Sequence, residues 1–156
     1  MAKLCRFSFL LFVLAAPVRA DDTGTPIQVS DLIREEDERA KEYRLASSMA
    51  GVTGDPFPQQ ALGKSQAAVR KALAGKKVEG EAIINSISYL KSEGRKTEYV
   101  VTLRYPQLTT LLRAMAADPN APIHAKLEKG HKIKVKGTLA INNGVLILED
   151  CTFTFP

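Results

Sequence analysis

The sequence predicts a mainly β protein with helices: a small, partly open five-stranded barrel preceded by an N-terminal helical segment. Three observations predict it. After Gly75 the apolar spacing changes from helical to a period of two; the β-rich stretches that follow are short and separated by Gly, Asn and polar turns; and residues 31–50 contain neither Pro nor Gly. At 156 residues the chain has room for one compact core and a helical extension.

The first twenty residues stand apart from that core. MAKLCRFSFLLFVLAAPVRA has basic Lys3 and Arg6, an apolar run from Phe7 to Ala16, and a small-x-small Val18-Arg19-Ala20 before Asp21-Asp22. This is the three-part pattern of a secretory signal peptide cleaved after Ala20, and its apolar run is shorter than the roughly 20 residues a membrane span needs. Export to the periplasm or medium is expected. Cys5 does not follow a lipobox-like motif, so no lipid anchor is expected, and Cys151 is then the one cysteine of the mature chain. A single thiol makes neither an internal disulfide nor a cysteine-ligated metal site.

Removal of the signal also removes Lys3, Arg6 and Arg19, which leaves 19 basic against 17 acidic residues. The remaining charge is uneven. Residues 21–63 carry nine acids and four bases, residues 64–156 eight acids and fifteen bases. The imbalance fits either an anionic partner for the second part or the docking of one part on the other.

DDTGTPIQVS (21–30) reads as a polar leader. Ser30 or Asp31 is placed to cap a helix running to about Ala50, supported by Glu35–Arg39 and Asp37–Lys41 pairs one turn apart, with the REEDER run as a solvated face. GVTGDPFPQQALG (51–63) reads as a loop from its Gly and Pro, so residues 21–63 form a leader, acidic helix and Gly/Pro loop, and residues 64–156 the barrel domain. Ser65 is placed to cap a short helix, QAAVRKALA, that stops at Gly75.

KKVEGEAIINSISYL (76–90) is too long for one flat strand; Gly80 permits a bend, and the buried side switches near Ile83-Ile84. A polar turn around Gly94 leads to TEYVVTLRY (97–105), with Tyr99, Val101, Leu103 and Tyr105 on the core face and Glu98, Thr102 and Arg104 opposite. Leu108, Leu111, Leu112 and Met115 have helical spacing between Pro106 and Pro119 and predict a helix lidding the core. Residues 120–130 hold at most a short strand around Ile123–Leu127. In KIKVKGTLAIN, Ile133, Val135, Leu139 and Ile141 face the core while Lys132, Lys134 and Lys136 face outward. Asn142-Asn143-Gly144 is a hairpin turn into VLILEDCTFTF, where alternation fails near Glu149-Asp150 and predicts a bulge.

This order of strands, with a long bent first strand and a helix before the fourth, is that of an oligonucleotide/oligosaccharide-binding (OB) barrel. Over about residues 75–155, GKKVEGEAIINSI, LEKGHKIKVKGTL and GVLILEDCTF resemble the bacterial exported OB-fold family called tRNA-anticodon-domain-like. The matching positions are Gly75, Lys76, Val78 and Gly80, then Leu127, Gly130, Ile133, Val135 and Gly137, then Val145, Ile147 and Cys151. Between Tyr105 and Ile123 the chain departs from that family, offering a helix where a third strand is the rule. The resemblance implies the fold and nucleic-acid ancestry; it transfers no activity.

Candidate chemistry is sparse. His124 and His131 read as surface histidines without a task, and Cys151 as a buried, inert thiol. Glu149 and Asp150 are adjacent and point apart on a strand. No phosphate loop or metal-spaced cluster is present, so neither catalysis nor a cofactor or metal is expected. Ligand-binding candidates are Lys132, Lys134 and Lys136, Tyr89 as an exposed ring, and Arg104. Nucleic-acid binding calls for cations interleaved with aromatic rings, and here the rings are poor. The preferred account of the lysines is that they keep a strand solvated and discourage edge-to-edge pairing. The expectation is an exported, non-catalytic OB module of the cell envelope that binds a protein or glycan, with single-stranded nucleic acid as the alternative ligand.

Overall fold

A computed structural model describes residues 24–90 and 97–156. The predicted signal segment and the Gly94 turn lie outside these residues. The elements in chain order are β1 (Ile27–Gln28), α1 (Val29–Thr53), α2 (Phe57–Leu73), β2 (Lys77–Leu90), β3 (Glu98–Arg104), β4 (Leu112–Ala116), a 3-10 turn (Pro122–Lys126), β5 (Lys132–Asn142) and β6 (Val145–Thr154).

Five strands close a circuit, β2–β3–β4–β6–β5 and back to β2, and β1 adds a short parallel pairing to β2. Closure depends on the length of β2. Its first half, Lys77–Ile83, pairs with β5, and its second half, from Ile83 onward, pairs with β3. A register slip between Ile84 and Ser86 turns the strand, one residue beyond the expected switch. Inward positions alternate as predicted: Val78, Ala82, Ile84, Val101, Leu103, Ile133, Val135, Leu139, Leu148, Cys151 and Phe153 are all buried. Ile141 is the exception; it is 38% exposed near the β5–β6 hairpin, where the barrel wall ends. That hairpin turns through Asn143 and Gly144, both at positive φ, as a primed turn requires.

The bulge predicted on β6 is present. Asp150 adopts φ 52°, and the β5–β6 register slips between Lys136 and Thr138. Gly137 lies at this slip because nothing larger fits: a Cβ there would sit 2.7 Å from Cys151 Sγ and 3.0 Å from the Glu149 carbonyl oxygen. Two of the quoted motif residues thus occupy one tight contact.

Several local expectations are corrected. The stretch expected to be a lid helix after Pro106 contains a turn and then strand β4. Gln107 takes φ 66°, Leu108 N–H donates to the Tyr105 carbonyl, and Leu112, Ala114 and Ala116 then alternate toward the core between β3 and β6. Two neighbouring strands needed a third to close the ring, and that pairing outweighs helical spacing. The expected short strand at 123–127 is the 3-10 turn instead. Residues 51–63 are mostly helical: α1 runs on to Thr53, Gly54 N–H caps it by donating to the Ala50 carbonyl, and α2 starts at Phe57 with Pro58 in its first turn, where no N–H is needed. The supposed loop and the supposed barrel domain therefore share helix α2 across residues 63 and 64. Neither Ser30 nor Ser65 caps a helix; Gln28 and Pro56 hold those places without a side-chain cap.

The largest correction concerns the acidic helix. Val29, Leu32 and Ile33 join the barrel core, so the first turns of α1 plug one end of the barrel, each buried aliphatic side chain contributing roughly 1.5–3 kcal/mol. REEDER is accordingly only part solvated. Asp37 is 1% exposed, and its Oδ1 accepts hydrogen bonds from the N–H and hydroxyl of both Thr109 and Thr110, at 2.8–3.0 Å. Lys41 Nζ lies 2.7 Å from its Oδ2. Glu36 is held by Arg39 at 2.6 Å and by Arg70 of α2 at 2.8 Å, and Arg70 also donates to the Gly144 carbonyl in the β5–β6 turn. The acidic part and the basic part dock on each other through these contacts.

Candidate functional site

Lys132, Lys134 and Lys136 project from the barrel because Ile133 and Val135 between them are fully buried. Strand pairing sets what stands beside them. Lys136 is opposite Glu79, Lys134 opposite Glu81 and Lys132 opposite Ile83, which in turn is opposite Arg104 of β3. Lys132, Ile83 and Arg104 therefore form one cross-strand row on the outer surface, and four of the five predicted site residues share one face.

Tyr89 does not join them. It pairs with Tyr99, on the core-facing side, and its ring meets that of Tyr99 edge-on at 6.3 Å near the far end of the barrel. It is 54% exposed but turned away from the lysines.

The stripe is a ladder of both signs. Lys132 Nζ lies 2.5 Å from Glu81 Oε2, and Lys136 Nζ 3.2 Å from Glu79 Oε2. The Lys132 ammonium holds the Glu81 carboxyl below its ordinary range, helped by the charge of Lys134, and Glu81 in return raises the Lys132 pKa. These pairs are exposed, so water screens them and they contribute little to stability. Their consequence is electrostatic: three cations face two anions, and Lys134 is left without a salt-bridge partner among the described residues.

A groove of about 700 Å³ runs over this surface, lined by Gln28, Ser30, Glu81, Tyr105, Lys132 and Lys134 among others. Its position follows from the change of partner along β2. On the edge away from β5, the last residue paired with β1 is Glu79 and the first paired with β3 is Ile83. Among the described residues no strand lies beside Gly80, Glu81 and Ala82 on that edge, and the groove opens there. Gly80 matters for a close approach: a Cβ would lie 3.1 Å from Val29 N, where α1 begins.

Glu79, Glu81, Gln28, Ser30 and Tyr105 are the groove residues with polar side chains that sequence reasoning missed. A signal for the first two was present, since Glu79 and Glu81 have the same period of two as the lysines. Tyr105, expected on the core face, is only half-buried and lines the groove.

The other titratable candidates have structural surroundings. Cys151 is 2% exposed, and burial pushes its thiol pKa up to about 12. His124 is stacked on Tyr99 with ring centres 3.7 Å apart, and its Nδ1 lies 3.1 Å from the Pro119 carbonyl, so it is a packed residue rather than an idle surface one. His131 Nε2 is 3.8 Å from Glu128. Among the described residues no three His, Cys, Asp or Glu side chains converge to hold a metal ion, and no helix is long and apolar enough to cross a membrane.

No protein-family model matches the chain, and no curated protein matches it. Among solved structures it is similar to a protein of Klebsiella pneumoniae subsp. pneumoniae described as a "putative nucleic acid-binding lipoprotein", with a TM-score of 0.50 and 16% identity over 57% of this chain and 78% of that one. At that identity the likeness is one of fold.

Proposed function

We propose that this chain is an exported, non-catalytic OB module that binds an extended polar ligand, a polypeptide segment or glycan of the cell envelope, across the outer face of β2 and β5. The observation that carries this reading is the alternation of Lys132, Lys134 and Lys136 with Glu79 and Glu81 along a groove of about 700 Å³. A polyanion is drawn to a run of one sign, whereas a ligand with donors, acceptors and both charges finds a complement in a mixed ladder. The signal-peptide pattern supports export, and the motif resemblance supports membership of the exported tRNA-anticodon-domain-like family.

Single-stranded nucleic acid is the second reading, favoured by Lys134, which has no salt-bridge partner among the described residues, by Arg104 in the neighbouring row, and by the description of the Klebsiella protein. Glu81→Lys separates the two. Removing an anion from the stripe strengthens binding of a polyanion and steepens its salt dependence, but weakens a ligand that reads both signs. Titration of wild type and variant with oligothymidylate and with envelope glycan fragments at two salt concentrations decides between them. Tight, salt-sensitive oligonucleotide binding by the wild type sinks the first reading. Export has its own check: the intact mass of the natural protein should begin at Asp21, and a chain beginning at Met1 in the cytoplasm would refute it.

A further inference from the structure

Helices α1 and α2 extend beyond the barrel as a hairpin, and its distal part differs in chemistry from the rest of the chain. Asp55 is the one charged residue between Leu45 and Gly63. Of the ten large apolar side chains exposed among the described residues, five belong to this hairpin: Tyr43, Leu45, Met49, Val52 and Phe57. Val52 is 88% exposed and Phe57 72%.

We propose that this hairpin end inserts into the interfacial region of a lipid membrane bearing anionic headgroups. Four independent features select lipid over a protein surface.

The first is the placement of the apolar groups. The side of α1 that meets α2 is marked by Tyr43, whose hydroxyl accepts from Gln59 Nε2 at 3.0 Å, by Ser47, and by the Arg39 carbonyl, which accepts from Gln66 Nε2 at 2.9 Å. At about 100° per residue, Leu45, Met49 and Val52 lie roughly 180–240° round α1 from Tyr43. Phe57 lies about 160–180° round α2 from Gln59 and Gln66. Apolar groups thus occupy the two outer sides of the hairpin, facing away from each other. A flat partner covers one side; a fluid medium that surrounds the end covers both.

The second is that most polar side chains of this end are already bonded within it. Ser48 Oγ donates to the Arg44 carbonyl at 3.0 Å and Thr53 Oγ1 to the Met49 carbonyl at 2.9 Å. Asp55 Oδ1 accepts from Phe57 N–H at 2.9 Å, and Gln59 binds Tyr43 and Ser47. Hydroxyl and amide groups satisfied in this way lose little when water is withdrawn, whereas the charged Asp55 carboxylate at the turn must stay at the wet headgroup level.

The third is dimension. The uncharged part of α1, from Leu45 to Thr53, is about 12 Å long at 1.5 Å per residue. Amphipathic elements bury their apolar parts roughly 5–10 Å into the headgroup and acyl boundary. The fourth is charge. On each helix the first charge met on going from the turn toward the barrel is an exposed cation, Arg44 on α1 and Lys64 on α2, and neither has a salt-bridge partner among the described residues. Glu42 and the Asp37-bound Lys41 follow behind Arg44. Arg44 and Lys64 are placed to meet lipid phosphates, with Tyr43 at the same level.

The chain has no Trp, so Phe57→Trp in the full chain provides a single local reporter. With vesicles of phosphatidylglycerol and phosphatidylethanolamine its emission should shift to the blue and be quenched by brominated acyl chains. Leu45→Ser, Met49→Ser and Val52→Ser together in the same chain should lower partitioning of the reporter roughly a hundredfold. Arg44→Glu with Lys64→Glu should lower it by more than about tenfold for anionic vesicles alone. All of these positions are exposed, and unchanged circular dichroism and melting verify that the fold persists. An indole that stays solvent-like while the protein sediments with vesicles overturns the proposal, since another segment then makes the attachment. So does a blue shift that needs no vesicles and tracks protein concentration and a doubled mass, which would assign the surface to a second copy of this chain.

Discussion

Replacing Gly137 by alanine tests whether the β6 bulge is held by close packing. The new methyl carbon would start 2.7 Å from Cys151 Sγ and 3.0 Å from the Glu149 carbonyl oxygen. Ordinary contact is roughly 3.5–4.0 Å, so something must move by about an ångström. Neither neighbour is free to do so: Cys151 is 2% exposed in the core, and Glu149 precedes Asp150, whose φ of 52° already shapes the bulge. Overpacking of this kind costs about 1–3 kcal/mol. For a domain of this size, at about 4 °C per kcal/mol, the melting temperature should fall by about 4–12 °C. The assay is thermal and urea unfolding of Gly137→Ala, Cys151→Ala and the double variant. Because alanine at 151 vacates the space of the sulfur, the double variant should be more stable than the two single effects predict, by about 1 kcal/mol. Rescue should be partial, since the Glu149 contact persists. A Gly137→Ala protein that melts within about 1 °C of wild type, or a cycle with no coupling, would refute the argument.

Two further predictions concern ionisation. The Lys41 ammonium and the Thr109 and Thr110 donors hold the Asp37 carboxyl well below the usual carboxylate range. Its folded-state pKa is depressed, so the stability it contributes is present above the unfolded value near 4 and is lost as pH falls toward the folded one. Asp37→Asn should be less stable at neutral pH and should show a shallower acid decline below about pH 4, measured by urea unfolding at a series of pH values; parallel curves for the two proteins would sink the assignment. Cys151, with its pKa pushed up to about 12 by burial, should resist iodoacetamide at pH 8 in the folded protein and react after unfolding. Rapid labelling of folded protein would show that the thiol is accessible.

The parts of the fold carried by local periodicity were legible in the sequence. Strands β2, β3, β5 and β6, the Asn143-Gly144 turn and the β6 bulge follow from which residues alternate and where the alternation breaks. Strand β4 was not legible. Its Leu and Met residues fit a helix by spacing, and only the presence of β3 and β6 on either side makes Leu112–Ala116 extended. Helix α2 was half legible, because Gly and Pro normally mark loops and here fall at the first turn and against the Tyr43 ring.

At the candidate site, local alternation alone places Lys132, Lys134 and Lys136 on one side of a strand, because a period of two with buried Ile and Val between them leaves no other arrangement. The pairing register, which is a tertiary property, decided what they meet. It set Glu79 and Glu81 against the lysines, added Arg104 to their row, sent Tyr89 to the other side, and turned a predicted basic stripe into a ladder of both signs. The same holds for the acidic helix. Its charges were plain in the sequence, but whether a carboxylate is solvated or buried depends on donors 72 and 73 residues away in Thr109 and Thr110, brought to Asp37 only when Leu32 and Ile33 enter the barrel. Local pattern determines which way a side chain points; only the closed barrel decides what stands opposite it.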